Sequence, residues 1–283
     1  VQGVDLHHDG VHALMQEFRF VPDARLDDLM ISYATDGGGV GPHFDSYDVF
    51  LLQAHGQRRW RIGRNQDLTL QSGVPLKILQ NFEAEQEFVL NPGDMLYLPP
   101  LYAHDGDAVG ECMTYSIGFK AETNHTMASV LLSRLADFEN LKAAQTYSDP
   151  DQSATAHPAK IPDQLQAFAL NSIHQKLNKE KDIFCALGEW LSEPKPEVWF
   201  ESQAKPKTIK GIRLDRRSQM LYDKDFVFLN GESWRCKGKD ALVLRQLADQ
   251  RQLFKAELLI ATPEVLHLLS DWIEAGWAHS LPQ

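Results

Sequence analysis

Apolar and polar residues alternate in short stretches through the first 120 residues, a pattern typical of β-strands with one buried face. Glycine and proline separate these stretches, and we expect Gly56 to divide the second strand region from the third. The predicted strand regions are 29–34, 43–53, 58–62, 88–98 (a strand, a Pro-Gly turn and a strand) and 113–119. Short strands joined by turns, without helices between them, predict an antiparallel barrel or sandwich.

The pattern changes to helical spacing near residue 123. Apolar residues three or four positions apart predict helices within 127–138, 165–173 and 184–191, with a connector rich in Ser, Pro and Asp at 148–162. Residues 205–283 combine a hairpin turn at Asn230-Gly231 with helices at 241–249 and 263–275, which is typical of a winged-helix-like unit. We therefore predict an α+β chain in three parts: a barrel at 1–122, a helical module at 123–204 and a winged-helix-like domain at 205–283.

The net charge narrows the choice of partner. The chain has 28 Lys and Arg against 39 Asp and Glu, a net charge of −11, which favours a basic partner over nucleic-acid phosphates. A basic run between Lys205 and Arg217 precedes the winged-helix-like domain, but we do not expect nucleic-acid recognition from so acidic a chain. No apolar stretch approaches the ~18 residues of a membrane span, so we expect no membrane segment.

Cysteine usage favours a cytoplasmic location. Cys112, Cys185 and Cys236 are widely spaced, odd in number and form no CxxC pair, so we expect reduced thiols rather than a disulfide framework or a zinc ribbon. The chain begins at Val1 with neither an initiator Met nor a signal peptide, and we expect that an N-terminal part has been removed.

The run of glycines at 37–39 leads into a candidate metal site. His43 and Asp45 are two residues apart, so on a strand both side chains point to the same side. Far downstream, Gly93-Asp94 opens a segment that ends at His104. Two imidazoles and one carboxylate can occupy one face of a metal octahedron and leave three positions open, the arrangement of non-haem Fe(II) oxygenases. We predict His43, Asp45 and His104 as metal ligands.

Two nearby groups resemble ligands but fit less well. His7-His8-Asp9 also contains H-x-D, but it precedes the strand region and is more typical of a solvated loop or a helix start. Asp105 follows His104 directly, and on an extended chain it would face away from that histidine.

Arg58 is the candidate anion-binding residue. Strand alternation places Arg58 and Trp60 on one face and Arg59 and Arg61 on the other, so one face can be exposed while the other points inward. An oxygenase that uses 2-oxoglutarate needs a cation for the distal carboxylate, and the planar guanidinium can bind a carboxylate with two hydrogen bonds. A solvated stripe of three arginines is the alternative.

These motifs resemble those of JmjC-type cupin oxygenases, whose barrel is a double-stranded β-helix (jelly roll), and they are most similar to those of the bacterial ribosomal oxygenases. The resemblance covers the whole chain and implies Fe(II), 2-oxoglutarate and O2, a helical dimerisation module and a C-terminal winged helix. It implies hydroxylation at C3 of an arginine in a large-subunit ribosomal protein. By motif, His43, Asp45 and His104 would hold the iron, and Arg58 would bind the distal carboxylate of 2-oxoglutarate.

The sequence departs from related enzymes at the hydroxyl that accompanies Arg58. Asparaginyl hydroxylases place Thr three residues before the first ligand, and this chain has Val40 there. We predict Ser116 or Ser32 as the hydroxyl partner instead. For the substrate guanidinium we predict Asp36, with Tyr47 or Tyr102 as a flat wall.

Three other functions remain open at this point. One is a JmjC-type demethylase of N-methyl-lysine, which uses the same iron chemistry. Another is a non-enzymatic cupin and winged-helix regulator that binds DNA and does not depend on Asp45. The third is a metal-dependent cupin isomerase, which would not need Arg58.

Overall fold

The computed structural model describes residues 1–137, 145–150, 153, 157 and 159–281, and the chain divides into two compact units, Val1–Glu122 and Thr123–Gln283. The first unit contains a 3-10 helix (Val4–Leu6), α1 (Asp9–Gln16), β1 (Leu26–Ala34), β2 (Asp48–Gly63), β3 (Gln86–Leu90), β4 (Met95–Leu98) and β5 (Ala103–Phe119). The described part of the second unit contains α2 (Asn124–Asp137), α3 (Asp163–Leu177), α4 (Glu180–Leu191), β6 (Gly211–Leu214), β7 (Met220–Tyr222), β8 (Phe226–Leu229), β9 (Glu232–Arg235), α5 (Gly238–Gln250), β10 (Gln252–Phe254), α6 (Lys255–Leu258), α7 (Pro263–Glu274) and β11 (Ala278–Ser280).

Two long antiparallel strands, β2 and β5, form the centre of the first unit. Their register runs from Asp48 opposite Phe119 to Gly63 opposite Ala103. β1 pairs with one half of β5, whereas β4 and β3 pair with successive halves of β2. The inward-facing side chains of β1, β2 and β5 line one cavity, so the strands form the predicted cupin barrel.

Gly56 does not form the turn that we expected between two strands. The chain runs through it as one strand, and the pairing with β5 shifts on both sides of His55. Gly56 has a φ of 61°, and a Cβ there would lie 2.0 Å from the carbonyl oxygen of Glu111. The residue is therefore a β-bulge that bends β2 where β5 comes too close for a side chain. The predicted 43–53 strand is also wrong at its start, since β2 begins at Asp48.

A helix closes one side of the barrel. On α1, Val11 and Met15 pack with Phe18 against Leu29 and Ile117. His8 is the N-cap of this helix, and its Nδ1 accepts a hydrogen bond from the Val11 N–H at 3.4 Å. The first H-x-D motif is thus a helix start, as its position before the strands indicated.

The second unit has its main core in the C-terminal part. Apolar residues of α5 and α7 pack on β6, β8 and β10. The hairpin of β8 and β9 turns at Asn230 and Gly231, both with positive φ, which confirms the predicted turn. Helix α4, which we assigned to the helical module, packs Cys185 against Phe226 and Phe228 of β8.

The helical segment at 123–177 is much less buried. Leu135 is buried on α2, whereas α3 contains no buried residue. Phe138 and part of the predicted 148–162 connector lie outside the described residues. All three cysteines are free. Among the residues that the structure describes, no helix combines the length and the apolar character required to cross a membrane.

Candidate active site

Backbone pairing brings the two histidines together. His43 and His104 form an antiparallel bridge in which each backbone N–H donates to the other's carbonyl, at 2.9 and 2.8 Å. The glycine run extends this pairing, since Gly37 N–H donates to the Ala108 carbonyl. The two imidazole ring centres lie 4.3 Å apart. Residues 61 positions apart in the chain are therefore neighbours because the glycine-rich segment pairs with the start of β5.

Hydrogen bonds within each segment orient the two rings. His43 Nδ1 lies 2.8 Å from the Gly41 carbonyl oxygen, and His104 Nδ1 lies 3.0 Å from that of Tyr102. A carbonyl only accepts, so each Nδ1 carries the proton and each Nε2 keeps its lone pair. Burial lowers the pKa of His104, and the charge of His43 lowers it further, which favours the neutral ligand form.

Asp45 completes a set of three ligand atoms. Its Oδ2 lies 3.6 Å from His104 Nε2, and one ligand atom from each of the three residues lies within 4.8 Å of the others. The Asp45 carbonyl accepts a 2.7 Å hydrogen bond from Leu101 N–H, and Leu101 has a left-handed φ of 64°. Two imidazoles and a carboxylate at this spacing are suited to a divalent transition metal with open positions.

A cavity of about 130 Å³ extends from these residues into the barrel. Its walls combine apolar side chains with polar and charged ones. The lining residues are Gln2, Asp28, Met30, Ser32, Val40, His43, Asp45, Tyr47, Val49, Leu51, Arg58, Trp60, His104, Gly106, Thr114, Ser116 and Gly118.

Arg58 lines this cavity and is 6% exposed. Its Nη1 donates to Ser32 Oγ at 3.3 Å and to Thr114 Oγ1 at 3.5 Å, and its Nη2 donates to the Gly106 carbonyl at 3.1 Å. Burial lowers the pKa of this guanidinium. No carboxylate among the described residues lies within ion-pair distance of it. Arg58 is therefore a buried cation whose protein partners are all neutral.

The neighbouring arginines point the other way, as strand alternation indicated. Arg59 pairs with Glu87, and Arg61 pairs with Asp105 and Asp107 at 2.6 and 2.5 Å. Asp105 thus faces away from His104 and belongs to this outer ion-pair group. Burial raises its pKa, although Arg61 opposes the shift.

The structure distinguishes the two predicted hydroxyl partners. Ser32 contacts Arg58 and also donates to the Thr114 carbonyl at 3.3 Å. Ser116 is 8% exposed and lines the cavity, and its hydroxyl has no hydrogen-bond partner in the described part of the chain. Thr114 also contacts Arg58, and the sequence did not suggest it because a threonine on a strand carries no distinctive signal.

The predicted substrate residues are not all in the cavity. Tyr47 lines it beside Asp45, and burial followed by that carboxylate raises the pKa of the phenol. The Asp36 carboxylate instead accepts a 2.8 Å hydrogen bond from Gly110 N–H, and the Tyr102 hydroxyl donates to Glu85 at 3.3 Å. Asp28 also lines the cavity, and its carboxylate accepts a 2.9 Å hydrogen bond from Gly3 N–H; no sequence pattern pointed to this residue.

Two known families match separate parts of this chain. The JmjC domain family matches residues 13–127, and the ROXA-like winged helix family matches residues 175–279. The ribosomal protein uL16 3-hydroxylase of Escherichia coli K12 is 39% identical over 201 residues, which cover 70% of this chain. The match spans about half (53%) of that relative's length.

A fuller match is the "Probable ribosomal oxygenase" of Haemophilus influenzae, 40% identical over an alignment that covers 98% of this chain and 76% of the relative. Among solved structures, E. coli YcfD superimposes with a TM-score of 0.85 at 31% identity, covering 98% of this chain and 77% of the other. A second structure of YcfD, a ribosomal oxygenase in complex with cobalt and 2-oxoglutarate, gives a TM-score of 0.80 at 31% identity and covers 98% of this chain and 76% of the other.

Proposed function

This chain belongs to the ribosomal oxygenase family, and we propose that it is an Fe(II)- and 2-oxoglutarate-dependent hydroxylase of an arginine side chain in a large-subunit ribosomal protein. The observation that carries the proposal is one cavity that joins the group of His43, Asp45 and His104 to a buried arginine without a carboxylate partner.

The residues present fit a resident Fe(II). Both histidines are held in the tautomer that leaves Nε2 free, and Asp45 supplies one negative charge. Metal-ligating histidines commonly donate their other N–H to a carbonyl, as both do here. The same three residues leave one side of the group facing the cavity, where a co-substrate can reach it.

The residues also fit 2-oxoglutarate. A buried guanidinium without a counter-ion is unfavourable, and a ligand carboxylate would supply the missing charge. Arg58 and the metal group lie in the same cavity, so a short dicarboxylate can reach both. Ser32, which contacts Arg58, and Ser116, which lines the same cavity, are the hydroxyls that can reach the co-substrate.

The chain's own residues bind, orient and exclude water. Bound Fe(II), with 2-oxoglutarate and O2, supplies the hydroxylation of a C–H bond, with succinate and CO2 as the other products. Arg58 holds the distal carboxylate and thereby sets the position of the keto acid end. Met30, Leu51 and Trp60 form apolar walls that exclude water, and the Nδ1 hydrogen bonds keep both imidazoles fixed.

Charge supports a basic substrate at the open end. Residues 1–122 hold 8 Lys and Arg against 18 Asp and Glu, a net charge of −10, so the barrel accounts for nearly all of the chain's −11. Such a field attracts a cationic protein. Asp28 and Tyr47 are suited to a guanidinium inside the cavity, and we propose that Asp36 and Tyr102 contact the substrate outside it.

We also propose that the protein is a cytoplasmic homodimer. Helix α3 contains no buried residue, yet Leu170, Ile173 and Leu177 are apolar at helical spacing and are exposed. A second copy of this helix would cover them. Three free cysteines suit a reducing compartment.

The test uses a basic large-subunit ribosomal protein incubated with the enzyme, Fe(II) and 2-oxoglutarate in air. We expect a retained mass increase of 16 Da on an arginine, succinate formation that depends on the substrate protein, and neither in His43→Ala. A loss of 14 Da would indicate demethylation instead. Equal succinate formation in His43→Ala would contradict the proposed metal site.

A further inference from the structure

The bulge at Gly56 fixes the orientation of a buried amide. Gln53 is fully buried, and its Nε2 donates to the His55 carbonyl at 2.8 Å and to the Gly56 carbonyl at 3.3 Å. Carbonyl oxygens only accept hydrogen bonds, so the amide NH2 must face them. The reversed amide would bring its own oxygen against two others. The bulge therefore determines where Gln53 Oε1 points.

That orientation decides where the Thr114 proton goes. Gln53 Oε1 accepts a 2.9 Å hydrogen bond from Thr114 Oγ1. A hydroxyl has one proton, so Thr114 presents only lone pairs to Arg58 Nη1, which lies 3.5 Å away. Thr114 is held as an acceptor for the guanidinium and has no proton to give to a carboxylate.

Ser32 contacts the same nitrogen, and its hydroxyl is held less firmly than that of Thr114. Its hydroxyl accepts from Arg58 Nη1 at 3.3 Å and donates to the Thr114 carbonyl at 3.3 Å. Its donated hydrogen bond is longer than the 2.9 Å bond that fixes the Thr114 hydroxyl, and no amide fixes the direction of this proton. Ser32 can therefore turn its proton toward a bound carboxylate, whereas Thr114 cannot.

We propose that Gln53 is a positioning residue which, through Thr114, holds Arg58 at a fixed depth in the cavity and leaves Ser32 as the hydroxyl that turns to donate to the ligand carboxylate. Gln53 does not line the cavity, so it acts only through its neighbours. The inference rests on the proposed use of 2-oxoglutarate. A fixed depth selects the length of the dicarboxylate, because a guanidinium held at Nη1 cannot retreat to admit a longer chain.

The experiment measures binding of 2-oxoglutarate and of 2-oxoadipate, which is one methylene longer, to Mn²⁺-loaded full-length protein without O2. In Gln53→Met and in Thr114→Val, we expect about tenfold weaker binding of 2-oxoglutarate, as for one charged hydrogen bond, and a smaller preference over 2-oxoadipate. Thr114→Ser should keep the wild-type affinity and the wild-type preference over 2-oxoadipate, because it retains the hydroxyl.

A double-mutant cycle separates positioning from a general loss of structure. Gln53→Met and Thr114→Val should not be additive, since both break the same chain of hydrogen bonds, whereas Ser32→Ala should add its full effect to Gln53→Met. Mn²⁺ affinity should stay at the wild-type value throughout. If Gln53→Met does not fold, the Thr114→Val and Thr114→Ser pair tests the same chain.

Two outcomes would overturn the inference in different ways. Wild-type affinity and wild-type chain-length preference in Thr114→Val or Gln53→Met would show that neither residue positions Arg58, and the proposed function would stand. Failure of the wild-type, Mn²⁺-loaded protein to bind 2-oxoglutarate would overturn the proposed function and, with it, the inference that rests on it.

Discussion

Both units bury charged side chains, and one from each unit shows how differently such a charge can be compensated. Arg58 in the barrel and Asp215 in the C-terminal unit are each 6% exposed. Asp215 accepts hydrogen bonds from Arg217 Nε at 2.7 Å and Nη2 at 2.9 Å, from Arg217 N–H at 2.9 Å and from His279 Nε2 at 2.8 Å. Arg58 instead donates hydrogen bonds to two hydroxyls and one carbonyl, none of which carries a charge.

The difference distinguishes a charge that stabilises the fold from a charge that is available to bind a ligand. Burial alone would raise the pKa of Asp215, but hydrogen bonds from Arg217 and His279 hold it well below its usual value. Its charge is fully compensated, and it ties the end of β6 to β11. The charge of Arg58 is not compensated within the protein, which is the condition expected of a residue that binds an anionic ligand.

The largest effect is expected from Arg58→Met. Loss of a bidentate carboxylate partner should weaken 2-oxoglutarate binding to Mn²⁺-loaded protein at least about hundredfold. The same change removes an uncompensated buried charge, so the free energy of unfolding should stay constant or rise by up to about 2 kcal/mol. Titration calorimetry and urea unfolding measure the two effects.

Arg59→Met is the matched control, because Arg59 is on the outer face of the same strand. Arg59→Met should change neither the affinity for 2-oxoglutarate nor the free energy of unfolding. An Arg58→Met protein that is destabilised by several kcal/mol would show that Arg58 is a structural residue like Asp215, and the contrast between the units would fail.

Asp215→Asn should give the reverse result. We expect a loss of about 2 kcal/mol of stability and no change in 2-oxoglutarate binding. Because the pKa of Asp215 is depressed, its contribution is present above the ordinary value of 3.8 and is lost as pH falls below it. The stability gap between wild type and variant should be constant from about pH 7 to 5 and shrink below about pH 4. Asp163→Asn, at an exposed position, serves as the control. A gap that stays constant into strong acid would contradict this account.

Gly106→Ala tests how closely Arg58 is packed. A Cβ at Gly106 would lie 2.6 Å from the Trp60 ring and 2.8 Å from Arg58 Nε. Both side chains would have to move, so 2-oxoglutarate binding should weaken about tenfold and stability should fall by about 1–3 kcal/mol. At Gly118 the nearest atom would be 3.5 Å away, so Gly118→Ala should leave the unfolding midpoint unchanged. The guanidinium carbon of Arg58 lies over the Trp60 ring, 4.7 Å from its centre. Equal midpoints for Gly106→Ala and wild type would mean that this contact is loosely packed.

The smallest effect concerns backbone strain. The barrel places Leu101 at a φ of 64° to direct its N–H to Asp45, whereas the β8–β9 hairpin uses Asn230 and Gly231, which suit positive φ. Leu101→Asn should therefore stabilise the protein by about 0.5–1 kcal/mol without changing Mn²⁺ affinity. Thermal unfolding and metal titration check it, and a destabilised variant would mean that the Leu101 side chain matters more than its backbone.

Sequence patterning predicted the alternation of Arg58 with Arg59, which corresponds to the two observed faces of β2. It also predicted that His43 and Asp45 lie together, although both precede β2 and only His43 forms a β-bridge. The turn at Asn230 and Gly231 could be predicted equally well, because positive φ favours those residue types. Each of these features depends on neighbours within a few positions of the chain.

The features that the sequence did not predict depend on contacts between residues that are far apart in the chain. From the sequence, Gly56 is typical of a turn. Only the close approach of Glu111 on β5, which the sequence does not show, makes it a bulge. Gln53 and Thr114 are ordinary strand residues, and their link to Arg58 comes from the register of β2 with β5. Asp28 reaches the cavity only because β1 pairs with the far half of β5, where the register shifts.

Anaerobic dialysis of the protein against Fe(II) and 2-oxoglutarate tests whether one cavity holds both the metal and the co-substrate. We expect one Fe(II) and one 2-oxoglutarate retained per wild-type chain, no iron in His43→Ala, and iron without 2-oxoglutarate in Arg58→Met. Full iron occupancy in His43→Ala, or equal retention of 2-oxoglutarate in Arg58→Met, would contradict it.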